Sequence, residues 1–254
     1  VPARQLRWLL IGNSRWHWAL EGAEGLGGER PPYFLHLPPP MAAEEPPVAW
    51  AAVGPVPPQA ALPAETRLAL EDVPLADAPP WLGIDRALAG WWAARLTASP
   101  VLVADAGTVL SLTRVDGCGR FAGGRLVAGA ALQLGAMASG TQDLPALEGG
   151  LASAASGELW PRDTAAAMTQ GVVEGLAAAV LEAGRQVRSV EASCRIVLTG
   201  GDGPALLPLL RRSPQLGEDV LLHRPDLCLE ALMALRPCPP PVGAAQASPR
   251  SSRI

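Results

Sequence analysis

Twice in this chain an apolar run enters a short turn of Gly and small polar residues and leaves it as a second apolar run. The first case is W-L-L-I (8–11), G-N-S-R (12–15) and W-H-W-A-L (16–20). The second is V-L-V-A (101–104), D-A-G-T (105–108) and V-L-S-L-T-R-V (109–115), roughly ninety-five positions later. Each reads as strand, tight polar turn, strand, which is a hairpin. A layout repeated at that distance points to two copies of one structural unit.

The segments after the two hairpins differ. Residues 25–66 are rich in Pro and Gly, with V-A-W-A-A-V (48–53) as a buried strand between long loops, because the flanking Pro clusters would end any helix. Leu88, Trp92 and Leu96 place a helix over 86–96, closed by Ser99-Pro100. Residues 121–140 begin as a third strand, bend at Gly-Gly and continue as a helix from about Gly129. Met168, Val172, Leu176, Ala179 and Val180 form one stripe of a long helix over 163–190. R-I-V-L-T-G-G-D (195–202) is a buried strand running into a Gly turn, and D-V-L-L-H (219–223) is a short strand. Residues 226–236 form a closing helix with Asp226 as its N-cap. The fold class expected is α/β, two related domains with mixed sheets, over 1–98 and 99–236. The Pro/Ala/Ser-rich tail, 237–254, is expected to be disordered.

Composition removes several chemistries. All twenty basic residues among the 254 are Arg. Without Lys there is no Walker-type phosphate loop and no Schiff-base or Lys-base enzyme. A net charge of −4 with scattered Arg gives no basic stripe, so nucleic acid is not an expected partner. His17, His36 and His223 and the four Cys (Cys118, Cys194, Cys228, Cys238) lack metal-ligand spacing. Sparse, irregular Cys suits reduced thiols, and the expected location is cytoplasmic. The apolar charge-free stretch 126–142 is broken by Gly and Ser and falls short of a membrane span, so no membrane partner is expected.

The residues that could carry chemistry each have a plain alternative. The two polar turns offer backbone N–H groups and small hydroxyls that suit phosphate oxygens, with Arg15 able to add charge-assisted bonds; they are equally the makings of ordinary hairpin turns. Asp105 closes an apolar strand, where an acid needs a partner or a cation; its alternative is an Asx-turn. Asp85 before a helix reads as an N-cap, yet beside Arg86 it also pairs a potential general base with a fork for a carboxylate. Thr164 sits beside an N-cap candidate, Asp163. Gly200-Gly201 permits close approach of a ligand or simply a tight turn. Trp91 and Trp92 read as core or subunit interface.

Taken in order, G-N-S-R (12–15), G-I-D-R (83–86), D-A-G-T (105–108), G-G-R-L-V-A-G (123–129), W-P-R-D-T (160–164) and T-G-G-D (199–202) resemble the type III pantothenate kinases over residues 8 to 236. The resemblance implies two domains of the actin-like type (RNase H-like, as in sugar kinases and heat-shock ATPases), usually in a homodimer. It implies that Gly12, Asn13, Ser14, Arg15 and Thr108 contact ATP phosphates, and that Asp105 holds an activating monovalent cation, K⁺ or NH₄⁺, with Mg²⁺ accompanying ATP. Asp85 would be the general base, with Gly83, Ile84 and Arg86 in the pantothenate pocket and Thr164 reaching it across the dimer. The implied reaction moves the γ-phosphoryl group of ATP to the primary hydroxyl of pantothenate, the first step towards coenzyme A. Phosphoryl transfer needs mainly positioning and charge neutralisation, so the lack of Lys is no obstacle. Three positions depart from the family pattern. Leu10 stands where the first motif, D-x-G-N-T/S, has its metal-holding Asp; Ala76 stands for a Tyr of the substrate site; Ala128 stands for a Pro. The alternative implied by Leu10 is a catalytically weak or inactive nucleotide-binding regulatory protein on the same scaffold.

Overall fold

The two hairpins form where the apolar runs place them. In the first, β1 (Arg7–Ile11) and β2 (Trp16–Leu20) pair antiparallel, and Gly12 N–H closes the turn on Arg15 O at 2.9 Å. In the second, β5 (Val101–Ala106) and β6 (Val109–Val115) do the same around Gly107-Thr108. The computed structural model describes residues 5–22, 31–39, 45–147, 151, 158–214, 216–217 and 219–236. The expected disordered tail, 237–254, lies outside the described residues.

Each hairpin grows into a sheet by the same rule. β2 takes β3 (Tyr33–Leu37) on its far side, while β1 takes β4 (Ala49–Ala52) in parallel, giving the order β3-β2-β1-β4. β6 takes β7 (Phe121–Ala128), and β5 takes β8 (Arg195–Thr199) in parallel, with β9 (Leu221–His223) beyond it. That order, β7-β6-β5-β8-β9, repeats the first with one strand added. The chain is α/β with two mixed sheets of like topology. β3 has no signal of its own in the sequence: its five residues are bracketed by Pro and carry no alternation, and only pairing with β2 makes them a strand.

The helices seal the faces. α1 (Ile84–Thr97) stops at Ala98, which takes the left-handed conformation before Ser99-Pro100. α2 (Ala130–Gly140) starts at Gly129, as the break in the apolar run predicts. α3 (Thr164–Val190) is capped by Asp163, whose carboxylate accepts from Ala166 N–H at 2.8 Å. By length and composition alone α3 could cross a membrane, but Met168, Val172, Leu176 and Val180 are buried in the core with Leu102, Ala104 and Ile196. α4 (Gly203–Arg212), between β8 and β9, is not foreshadowed by the sequence pattern; Pro204 in its first turn and Pro208 inside mask its periodicity. α5 (Leu227–Leu235) closes the chain.

One core cluster spans both sheets. Leu10 and Ala51 of the first sheet pack with Ile84 and Leu88 of α1, Val101, Val103 and Val197 of the second sheet, and Leu227 and Leu229 of α5. Trp91 and Trp92 lean on this cluster, which agrees with a packing role. The opposite face of the first sheet is a Trp layer, with Trp16, Trp18 and Trp50 among Leu9, Ile11 and Leu20. Burying β1 and β5 against a shared core is what sets the polar turns at their ends facing one another.

Candidate active site

The two Gly turns meet. Ser14 Oγ and Thr108 Oγ1 share a hydrogen bond of 2.9 Å, although 94 positions separate them in the chain. Gly54 packs against the first turn so tightly that a Cβ there would collide with Gly12 O. The third Gly turn, T-G-G-D, closes the arrangement from below. Asp202 N–H donates to Ala106 O at 2.9 Å, and its half-buried carboxylate feels the charge of Arg15. Burial holds the Asp202 pKa above the ordinary carboxylate range, and Arg15 opposes that rise. Asn13, Ser14 and Arg15 are exposed, and their outward face is free to meet a ligand.

Asp105 and Asp85 lie beside these turns. Asp105 is a residue of β5, paired across to Ser111 and Thr199, so it belongs to the strand and not to an Asx-turn. Burial pushes its pKa up to about 7, with the charge of Asp85 adding to the effect. Among the described residues no cationic side chain pairs with it, so the carboxyl is chemically suited to a bound cation. Gly200, at φ 89°, has no Cβ because one would collide with Asp105 Oδ1 and Ala106 O. Gly200→Ala is therefore expected to destabilise the fold by roughly 2 kcal/mol or more. Urea unfolding reads this directly; an unchanged midpoint would mean that the β8–α4 turn relaxes without cost.

The expectation that Asp85 caps α1 is corrected. Gly83 is the N-cap, and Asp85 lies inside the first turn, its Oδ1 accepting from Arg86 N–H at 2.8 Å. Gly83 is required because a Cβ there would stand 2.6 Å from that oxygen. Burial raises the Asp85 pKa against the pull of Arg86. Behind it, Cys228 Sγ–H donates to Asp85 O at 3.5 Å, and the same burial drives that thiol's pKa well up. Ile84 is buried in the shared core and serves as an anchor for the turn. Arg86 reaches the other way: Nε–H donates to Thr113 Oγ1 at 3.0 Å, and the guanidinium fills the space left by Gly124 of β7. Among the described residues Arg86 has no ion pair, so its remaining donors are available to a carboxylate.

The profile described as type III pantothenate kinase matches residues 57–186. A type III pantothenate kinase of Synechococcus elongatus is 36% identical over 244 residues, covering 89% of this chain and 96% of its own. The chain belongs to the type III pantothenate kinase family. A second such relative, from Thermosynechococcus vestitus, is 37% identical over 221 residues, with 83% and 84% covered. Among solved structures, a glucokinase from an Antarctic psychrotroph aligns over 90% of this chain and 98% of its own at 11% identity and a TM-score of 0.40, too low to add to the strand order above.

Two departures from the family pattern have visible surroundings. Leu10 is buried, 6% exposed, in the shared apolar core, so β1 offers no carboxylate to a metal at that position. Ala76 is joined to β7 by Phe121 N–H donating to its carbonyl at 2.8 Å, and Trp81, 70% exposed, stands edge-on to Phe121 at 6.1 Å. Phe121, tied to Ala76 through the backbone, thus forms an aromatic pair with Trp81. Thr164 is exposed at the start of α3, and no described contact brings it to Asp85. Thr113 is an addition to the site that the sequence pattern does not single out; Gly124 and Asp202 lie within G-G-R-L-V-A-G and T-G-G-D, where the sequence gives them no role of their own.

Proposed function

We propose that this protein is a pantothenate kinase, transferring the γ-phosphoryl group of ATP to the primary hydroxyl of pantothenate to give 4′-phosphopantothenate. The observation that carries the reading is the Ser14–Thr108 bond, which joins the two polar turns beside a pair of buried carboxyls. Backbone N–H groups and hydroxyls of Gly12, Asn13, Ser14 and Thr108, with the charge of Arg15, receive the ATP phosphates. Mg²⁺ bound with the triphosphate would supply charge neutralisation there. Asp105, which has no cationic partner among the described residues, would hold the monovalent cation, K⁺ or NH₄⁺. Arg86 binds the pantothenate carboxylate, with Gly83 and Ile84 shaping the floor of that pocket. Asp85 orients the hydroxyl and accepts its proton as the oxygen attacks phosphorus; a carboxylate with a raised pKa is the stronger base for that step.

A homodimer completes the reading. Leu159 and Trp160 are 69% and 85% exposed directly before α3, so covering them with a second copy would bury the apolar surface and seat Thr164 against a neighbouring substrate pocket. The two units of like strand order, 1–98 and 99–236, then act as the two sides of the nucleotide cleft, in a cytoplasmic enzyme. ADP release measured with ATP, Mg²⁺ and K⁺ tests the reaction. It is expected to depend on pantothenate; folded, ATP-binding protein that releases no more ADP with pantothenate than without it would overturn the assignment.

A further inference from the structure

Leu10 has a polar neighbour on its own sheet. Register pairs Leu10 of β1 with His17 of β2, and His17 with His36 of β3, so the three side chains stand on one rung and one face. That face is the one packed towards α1 and α5. His17 Nδ1 lies 2.8 Å from His36 Nδ1, and His36 Nε2 lies 3.0 Å from Asp226 Oδ1. Asp226 is the residue expected to cap α5, and it does hold the N-cap position. Its carboxylate makes no cap bond and turns to His36 instead.

The chain of three assigns the protons. With both rings neutral, the Asp226 carboxylate 3.0 Å away selects the tautomer that carries the hydrogen on His36 Nε2. In the neutral ring His36 Nδ1 is then the acceptor, and His17 Nδ1–H donates to it. His17 Nε2 is left with a free lone pair. That nitrogen lies against the first phosphate turn, where a Cβ on Gly12 would be 3.1 Å from it, and it makes no hydrogen bond among the described residues. The groups around this relay are Arg15 beside His17, and Arg224, Glu230 and His223 beside Asp226. A ring nitrogen whose opposite N–H is tied through a second group to a carboxylate is the arrangement by which proteins orient a histidine towards a metal or its water.

We propose that His17, held by His36 and Asp226, supplies through Nε2 the contact to the hydrated divalent cation of the nucleotide that Leu10 cannot supply. The inference rests on the kinase reading above, and it assigns to the neighbouring strand a task that the family pattern gives to position 10. An imidazole acceptor suits a water of the metal's hydration shell, because Mg²⁺ sheds its waters reluctantly.

The test is the factor by which the metal tightens nucleotide binding, read calorimetrically as the ratio of ATP affinity in Mg²⁺ to that in EDTA, without pantothenate. Mn²⁺ binding to the ATP complex, followed by its paramagnetic resonance, gives the same quantity independently. His17→Ala is expected to lower this factor by about 10- to 100-fold while leaving metal-free ATP binding unchanged. His17→Gln, which retains an acceptor, is expected to lower it less, and Leu10→Asp placed in the His17→Ala background is expected to restore it. A metal factor in His17→Ala equal to that of the parent overturns the proposal, as does a failure of Leu10→Asp to restore it in a folded double variant. Loss of metal-free ATP binding in the parent itself would instead strike the kinase reading, and the proposal with it.

Discussion

Asp85→Asn is expected to lower turnover by about 10²–10⁴ while leaving the fold and ATP affinity in place. The carboxyl sits in the first turn of α1 under Gly83, where Oδ1 already accepts from Arg86 N–H at 2.8 Å. Asn has the same shape and retains that acceptor, so the turn has no reason to move. What disappears is the site that takes the proton from the attacking hydroxyl. Burial of an ionised carboxylate costs free energy, as its raised pKa shows, so the neutral variant also loses no stability. Steady-state ADP release with ATP binding measured alongside separates these quantities. Turnover equal to that of the parent would remove Asp85 from the chemistry.

Asp105→Asn is expected to act in opposite directions on stability and function. In the folded chain the Asp105 pKa lies at about 7, against an ordinary value of 3.8. The folded state therefore binds this proton more tightly than the unfolded chain does. Between those two values stability falls as pH rises, and the full cost is felt above pH 7. Removing the charge should raise stability at pH 8 by on the order of 2 kcal/mol and change little near pH 4. The same substitution should abolish any stabilisation of the parent by K⁺ at pH 8, since the amide carries no charge for the cation to balance, and reduce turnover severely. Thermal unfolding across pH 4.5–8, with and without K⁺, reads both effects. A parent whose stability is flat across that interval would mean that Asp105 is already paired in the empty protein.

The two effects together separate functional carboxylates from structural ones. Asp163 accepts from Ala166 N–H at the start of α3, and a cap of that kind stabilises its helix. Asp85 and Asp105 make the ligand-free fold worse, and the arrangement persists because Gly83 and Gly200 leave room for their oxygens. Asp226 stands between these cases: it occupies a cap position but serves His36.

Much of the fold is legible in the residues alone. Both hairpins, the helices following residues 83, 129 and 163, and the grouping of Gly-polar turns at strand ends come from local signals: periodicity of apolar side chains and the turn chemistry of Gly, Asn, Asp and Thr. The repeat of one layout foretells two sheets of the same order, which β3-β2-β1-β4 and β7-β6-β5-β8-β9 are. Local signals stop at the reach of one element. Nothing in Y-F-L-H-L marks it as a strand until β2 pairs with it, and nothing in D-R shows whether Asp85 caps the helix or Gly83 does. The meeting of Ser14 with Thr108, the bond from Arg86 to Thr113 and the line from His17 through His36 to Asp226 each join residues far apart in the chain. Those contacts are set by how two sheets and two helices share one apolar core, a global packing solution that no short window of sequence contains.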